Sequence, residues 1–212
     1  MSPSIHPFPI LRWVAPLWMV VWLPAYAQTW GWSNFLHLCD LAVILTCLGL
    51  ALGNKLLLSS QAVASLLSSV AWCLDAGSRL FTGRHAFGGT EYMWDPHYPL
   101  WVRLLSLFHL AMPAILLWTM RRAGYDPRGL AAQSAIAAGL LAVSRFFSPE
   151  LYLNYAYRDP VLHRAWGPAP VHLVVIFVGL VALLYWPTHL LLCRLFARPP
   201  AREGQGNPSP AT

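Results

Sequence analysis

The residues able to do chemistry fall mainly in two short runs. The first is LHLCD at Leu36–Asp40, where an imidazole, a thiol and a carboxylate occupy neighbouring positions. On a helix His37 and Asp40 stand about 60° apart while Cys39 points roughly 160° from His37, so the three cannot converge on one point. The second run is SLFHL at Ser106–Leu110, with His109 four residues before Pro113. Proline has no N–H for the His109 carbonyl, which predicts a freed oxygen and a kink beside that histidine. In an apolar setting a freed carbonyl is tolerated where it faces protein or water, so a cavity is expected there.

Two chemistries fit. A metal centre would take His37, Asp40 and His109 as three ligands with one position open, as catalytic zinc prefers. A covalent mechanism would take Cys39 as nucleophile, with His109 or Asp40 removing its proton. Apolar surroundings raise a thiol pKa, so the second needs a base or cation nearby, and Arg79, Arg103 and Arg145 are expected at that depth. The covalent assignment makes Cys39 and His109 the catalytic pair and His37, Asp40, Asp75, Arg79, Arg103 and Arg145 the pocket or binding residues, with no metal and no cofactor. The plainer alternative is a structural His109, with Cys39, Cys47, Cys73 and Cys193 as small buried hydrophobes. None of these cysteines has CxxC spacing, so neither a zinc motif nor a disulfide framework is indicated.

A third pattern is Gln61, Ser65, Ser68, Trp72, Asp75 and Arg79, which recur at steps of three and four along one helix face. It predicts a polar stripe toward the interior, ending in an Asp75–Arg79 pair that satisfies itself. The alternative is a packing face of small residues with interhelical hydrogen bonds.

Hydrophobic helices must position these groups. Only 10% of residues are charged and 57% are hydrophobic, with mean hydropathy +0.50, against about a quarter charged in soluble domains. The net charge is +6, but the basic residues lie scattered at helix ends without a basic stripe, which argues against a nucleic-acid partner. A hydrocarbon core of about 30 Å takes roughly 20 apolar residues, and six such runs occur: Leu11–Gln28, Asn34–Gly53, Leu56–Phe81, Leu100–Met120, Gly129–Phe147 and Val171–Phe196. The fold class expected is an all-α, polytopic membrane bundle of six helices over residues 1–198, followed by a disordered tail at 199–212 rich in Pro, Gly and Ser. Arg12, the apolar run after it and AYA at Ala25–Ala27 also read as a cleavable signal peptide, which would leave five.

Arg12, Lys55, Arg121, Arg122, Arg128, Arg194, Arg198 and Arg202 fall on one side of a six-span arrangement, more than on the other. The positive-inside rule then puts both termini in the cytoplasm, and a bacterial inner membrane is the expected location. In that frame the ionisable groups share a depth near the outer face, and the inner halves are nearly empty of them apart from His189. Two external connections, Thr82–Pro99 and Ser148–Pro170, are longer than bundle loops usually are, as functional lids and binding segments tend to be. Their many Trp and Tyr also suit an interfacial belt.

LHLCDLA at Leu36–Ala42, together with SLFHL, resembles the YwaF-type six-span membrane family, which includes transmembrane acyltransferases acting on lipids. The resemblance implies Cys39 and His109 as a catalytic pair, and thiol-dependent acyl transfer or hydrolysis on a lipid. Membrane lipids are the expected partners, and a lipid or small molecule the expected ligand. The alternatives are non-enzymatic ligand binding, transport or membrane assembly. Transport predicts polar groups continuing to the inner side, which the sequence lacks. The P-loop, GxGxxG, HExxH and GxSxG signatures are also absent.

Overall fold

The structure, a computed structural model, describes residues 6–196, and within them every regular element is helical. The elements are α1 (Leu11–Trp30), α2 (Leu38–Leu52), α3 (Lys55–Thr82), α4 (Leu100–Leu105), α5 (Phe108–Ala123), α6 (Gly129–Ser144), α7 (Ala169–Leu180) and α8 (Trp186–Phe196). Each hydrophobic run of the sequence overlaps at least one of them. The tail expected from Pro199 onward lies outside the described residues.

Local chemistry sets the helix ends. Gly53 closes α2 in the left-handed region at φ 64°, and the Asn54 N–H donates to the Gly49 carbonyl at 2.9 Å. The Asn54 side chain then accepts from the Leu57 N–H at 3.0 Å and caps α3, so two residues reverse the chain. Elsewhere the backbone departs from the expected kink. Helix α5 runs through Pro113, and the break lies instead at Ser106–Leu107, where the N–H groups of His109 and Leu110 bond carbonyls only three residues back. Pro187 leaves the Leu183 carbonyl without its usual donor, and a π turn at Val181–Tyr185 sits immediately before it.

Helix α3 forms the centre and packs against α2, α5, α6 and α8. Small residues permit this. A Cβ on Gly49 would meet the Leu58 side chain at 3.0 Å, and one on Gly129 would meet the Ser59 carbonyl carbon at 2.9 Å. Ser59, Ser60, Gln61, Ser65 and Ser69 are all buried in α3. The outer flanks are apolar: Val20, Leu74, Leu110, Val174, Leu183 and Leu195 are all exposed, a surface suited to lipid.

Three segments, Lys55–Thr82, Leu100–Ala123 and Ala169–Phe196, are long and apolar enough to cross a membrane. These suit a membrane protein, but they fall short of the six spans expected from the sequence. The shortfall has a simple origin. Helices α2 and α6 reach only 15 and 16 residues, and the apolar character of α1 is diluted by Pro16, Pro24 and several tryptophans.

Candidate functional site

The N-terminal turn of α2 carries Asp40, whose side chain is only 4% exposed. Asn34, in a short 3-10 turn at Trp32–Leu36, donates from Nδ2 to Asp40 Oδ2 at 2.7 Å. No ion pair reaches Asp40 among the described residues, where the pairs formed are His85–Asp75 and Arg128–Asp126. Phenols surround it instead. Asp40 and Cys39 lie close enough to act electrostatically on Tyr26 and Tyr92, and Cys39 also acts on Tyr155. The Tyr26 and Ser106 hydroxyls are 2.6 Å apart, so α1 is tied to the break between α4 and α5.

One step deeper, Trp72 Nε1 donates to the Tyr92 hydroxyl at 3.2 Å. His109 stacks on that indole with centroids 4.8 Å apart and an interplanar angle of 15°. Its Nδ1 lies 3.4 Å from Ser69 Oγ. Burial pushes the Tyr92 and Tyr155 phenols, both on the long connections Thr82–Pro99 and Ser148–Pro170, above their ordinary range. They therefore stay neutral and keep a proton to donate. Beside this network an open depression of about 320 Å³ is lined by Trp30, Asn34, His37, Tyr98 and Glu150 among others. Asp40 thus sits one hydrogen bond behind the wall of that depression.

Several residues expected to act together make no hydrogen bond or ion pair with one another among the described residues. No hydrogen bond joins Cys39 to His109 among the described residues, and neither lines the depression. The described residues gather no group of three His, Cys, Asp or Glu able to hold a metal ion, so His37, Asp40 and His109 form no metal centre. The Asp75–Arg79 pair is also absent. Asp75, 1% exposed, accepts from the N–H groups of Phe87 at 2.7 Å and Gly88 at 2.9 Å, from His85 Nδ1 at 2.9 Å and from the Thr90 hydroxyl. Arg79 turns instead to the Gly83 carbonyl.

The other arginines likewise hold loops. Arg103 Nη1 donates to the Met93 carbonyl at 2.8 Å, while its buried Nε has no partner. Arg145 donates to the Ala156 carbonyl at 3.3 Å and lies over the Tyr157 ring at 3.9 Å. Two further residues fix the second loop. Asn154, in the left-handed region at φ 51°, accepts from the Leu38 N–H at 2.8 Å and donates to the Leu36 carbonyl at 2.7 Å and to Ser144 Oγ at 3.0 Å. His172 accepts from the Trp166 N–H at 3.2 Å through Nδ1. Its Nε2, 2.9 Å from the Tyr155 carbonyl, must then carry the proton and donate it.

Tyr26, Asn34, Ser69, Tyr92 and Asn154 were not among the residues singled out by sequence. The aromatics were indistinguishable from belt residues, and Ser69 lies one position off the polar stripe. Only Asn34, six residues before Asp40, carried a local signal, as a polar group just ahead of a helix start.

Comparison of the chain with family models, with curated proteins and with solved structures finds no match to any of them.

Proposed function

We propose that the chain crosses a bacterial inner membrane six times with both termini cytoplasmic, and that the groups around Asp40 form an outward-facing binding site for a lipid or small amphiphile. The short α2 and α6 can cross if the adjoining turns and a locally thinned bilayer make up their length. The observation that carries the site is Asp40 itself. It is a nearly buried carboxylate with a neutral amide as its donor and no cation paired to it, and it sits behind Asn34 at an open depression. Such a group is costly at membrane depth, which favours a role over mere packing. An amine or hydroxyl of a ligand headgroup, entering past Asn34 and His37, would supply the missing donor. Native mass spectrometry of purified wild-type and Asp40→Asn protein tests this. The wild type should retain a bound lipid that the folded variant has lost, and equal retention would sink the assignment.

A second reading is thiol-dependent acyl transfer or hydrolysis through Cys39. Its support is that Cys39 adjoins Asp40 and acts on the Tyr26, Tyr92 and Tyr155 phenols, so the thiol shares the same polar cluster. The likeness of LHLCDLA and SLFHL to the YwaF-type family points the same way. Asp40 is then the nearer proton acceptor, and His109 serves only if it leaves Trp72. Iodoacetamide and fluorophosphonate labelling of wild type, Cys39→Ala and His109→Ala separates the readings. Labelling lost in Cys39→Ala and slowed in His109→Ala supports acyl chemistry, whereas equal labelling in all three returns Cys39 to packing.

A further inference from the structure

Asn34 has two ends, and only one of them is used. Its Nδ2 donates to Asp40 Oδ2 at 2.7 Å, and because a carboxylate can only accept, that bond fixes which way the amide points. Asn34 Oδ1 is left as an acceptor, and among the described residues nothing donates to it. Asp40 Oδ1 is in the same position, since the residue is 4% exposed and only its Oδ2 has a donor. Asn34 lines the depression of about 320 Å³, and Asp40 lies one hydrogen bond behind it.

A second segment brings charge to the same place. Glu150, in the 3-10 turn Pro149–Leu151, is exposed and lines the depression. The ion pairs formed among the described residues are His85–Asp75 and Arg128–Asp126, so no cation is paired with Glu150. Arg158 borders a smaller neighbouring depression together with Glu150, and it too stays unpaired with that carboxylate. No Lys or Arg lines the larger space, where His37 is the one side chain able to carry a positive charge. In a chain of net charge +6, acids gathered without basic partners mark a place where the ligand supplies the cation. Aromatic rings complete the lining. Trp30 and Tyr98 both border the depression with centroids 5.4 Å apart, and Tyr26 and Tyr92 pack against Trp30 at 4.6 and 5.9 Å. Free acceptors, a carboxylate and aromatic rings together select one kind of group. A hydroxyl has no charge for Glu150, and an anion is repelled by it. A trimethylammonium has no N–H for Asn34 or Asp40. A primary ammonium has both the charge and the N–H donors.

We propose that this depression receives a primary ammonium group, carried by a lipid headgroup or by a free amine. The proposal rests on the binding site assigned around Asp40 and narrows its ligand class. The ammonium donates to Asn34 Oδ1 and to the Glu150 carboxylate and lies against Trp30 and Tyr98. Asp40 keeps the Asn34 amide turned so that its oxygen faces the ligand.

The test uses the full-length protein in nanodiscs holding phosphatidylethanolamine, phosphatidylcholine and phosphatidylglycerol in equal parts, with retained lipid read by native mass spectrometry. Phosphatidylethanolamine should be retained at least about tenfold over each of the others, as charged hydrogen bonds to its ammonium imply. Glu150→Gln, a change at an exposed position, should cut the preference over phosphatidylglycerol several-fold. Isothermal titration of the detergent-solubilised protein with ethanolamine separates the two sources. Heat that is lost in Glu150→Gln assigns the site to free amines, and lipid preference without such heat assigns it to the headgroup. Equal retention of the three lipids with no ethanolamine heat, or a preference unchanged in folded Glu150→Gln, overturns the proposal. If that indifferent lipid is still lost in Asp40→Asn, the Asp40 site stands and only the ammonium assignment falls. If Asp40→Asn keeps it as wild type does, the site falls as well.

Discussion

Asn34 Nδ2 and Asp40 Oδ2 lie 2.7 Å apart, and this bond joins the 3-10 turn before α2 to the helix's first turn. Removing the donor leaves a buried carboxylate with nothing in its place. Asn34→Ala is expected to cost about 1–3 kcal/mol, read as a lower Tm by tryptophan fluorescence in detergent. Asp40→Asn replaces the acid with a neutral amide of the same shape and should hold stability within about 1 kcal/mol of wild type or raise it. An Asn34→Ala protein as stable as wild type would mean that water already serves Asp40.

Asp75 is the anchor of the loop between α3 and α4, gripping Phe87, Gly88, Thr90 and His85 together. Asp75→Ala should cost at least about 2 kcal/mol, since several donors lose a charged acceptor at once. Protease added to the detergent-solubilised protein should then cut between residues 83 and 99 faster than in wild type. Arg79→Ala should raise the cutting rate much less, because Arg79 does not pair with Asp75 and holds only the Gly83 carbonyl where the loop begins.

Acid should loosen the loop between α6 and α7. The N–H of Leu162 at 2.6 Å, and after it those of Val161 at 3.0 Å and Arg164 at 3.3 Å, hold Asp159 below the usual carboxylate range against the opposing effect of burial. A carboxyl whose folded pKa is depressed stabilises fully above its unfolded value, about 3.9, and loses that contribution as pH falls through the folded pKa. Hydrogen exchange at residues 161–164 should therefore rise below about pH 4. Asp159→Asn should show raised exchange at neutral pH and a flatter acid response.

Gly129→Ala places a methyl 2.9 Å from the Ser59 carbonyl carbon and 3.0 Å from the Ser60 nitrogen. Both are backbone atoms, so α6 must move away from α3 as a unit. A loss of about 1–3 kcal/mol is expected, with the Asp126–Ser59 bond weakened alongside. Gly139→Ala, where nothing lies within 4 Å of the added carbon, is the matched control and should be neutral or slightly stabilising.

The helices were legible in the sequence because solvation is additive along the chain: each apolar run became helical, and GN at Gly53–Asn54 reads directly as a stop and a start. Span length was less legible, since α2 begins only at Leu38, after a separate 3-10 turn, and α6 stops at Ser144, so the runs overstated their helices. Within the candidate site, the depth of Asp40, Asp75 and His109 followed from position, and all three are buried. Their partners did not follow. Asp75 is satisfied by backbone N–H groups of a loop more than ten residues away, which no side-chain pattern encodes, and Asn154 reaches α2 across more than a hundred residues.

The π turn at Val181–Tyr185 acts as a phase shifter for everything after it. A wide turn holds one residue more than an α turn, and one residue is about 100° of rotation. The azimuth of α8, and with it whether His189 looks at Tyr125 or at lipid, is therefore dialled by a single inserted position. Deleting one residue there would restore an ordinary helix across α7 and α8 and swing His189 and Cys193 together away from Tyr125, whose hydroxyl lies 2.7 Å from His189 Nδ1, while leaving the hydropathy of the chain essentially untouched.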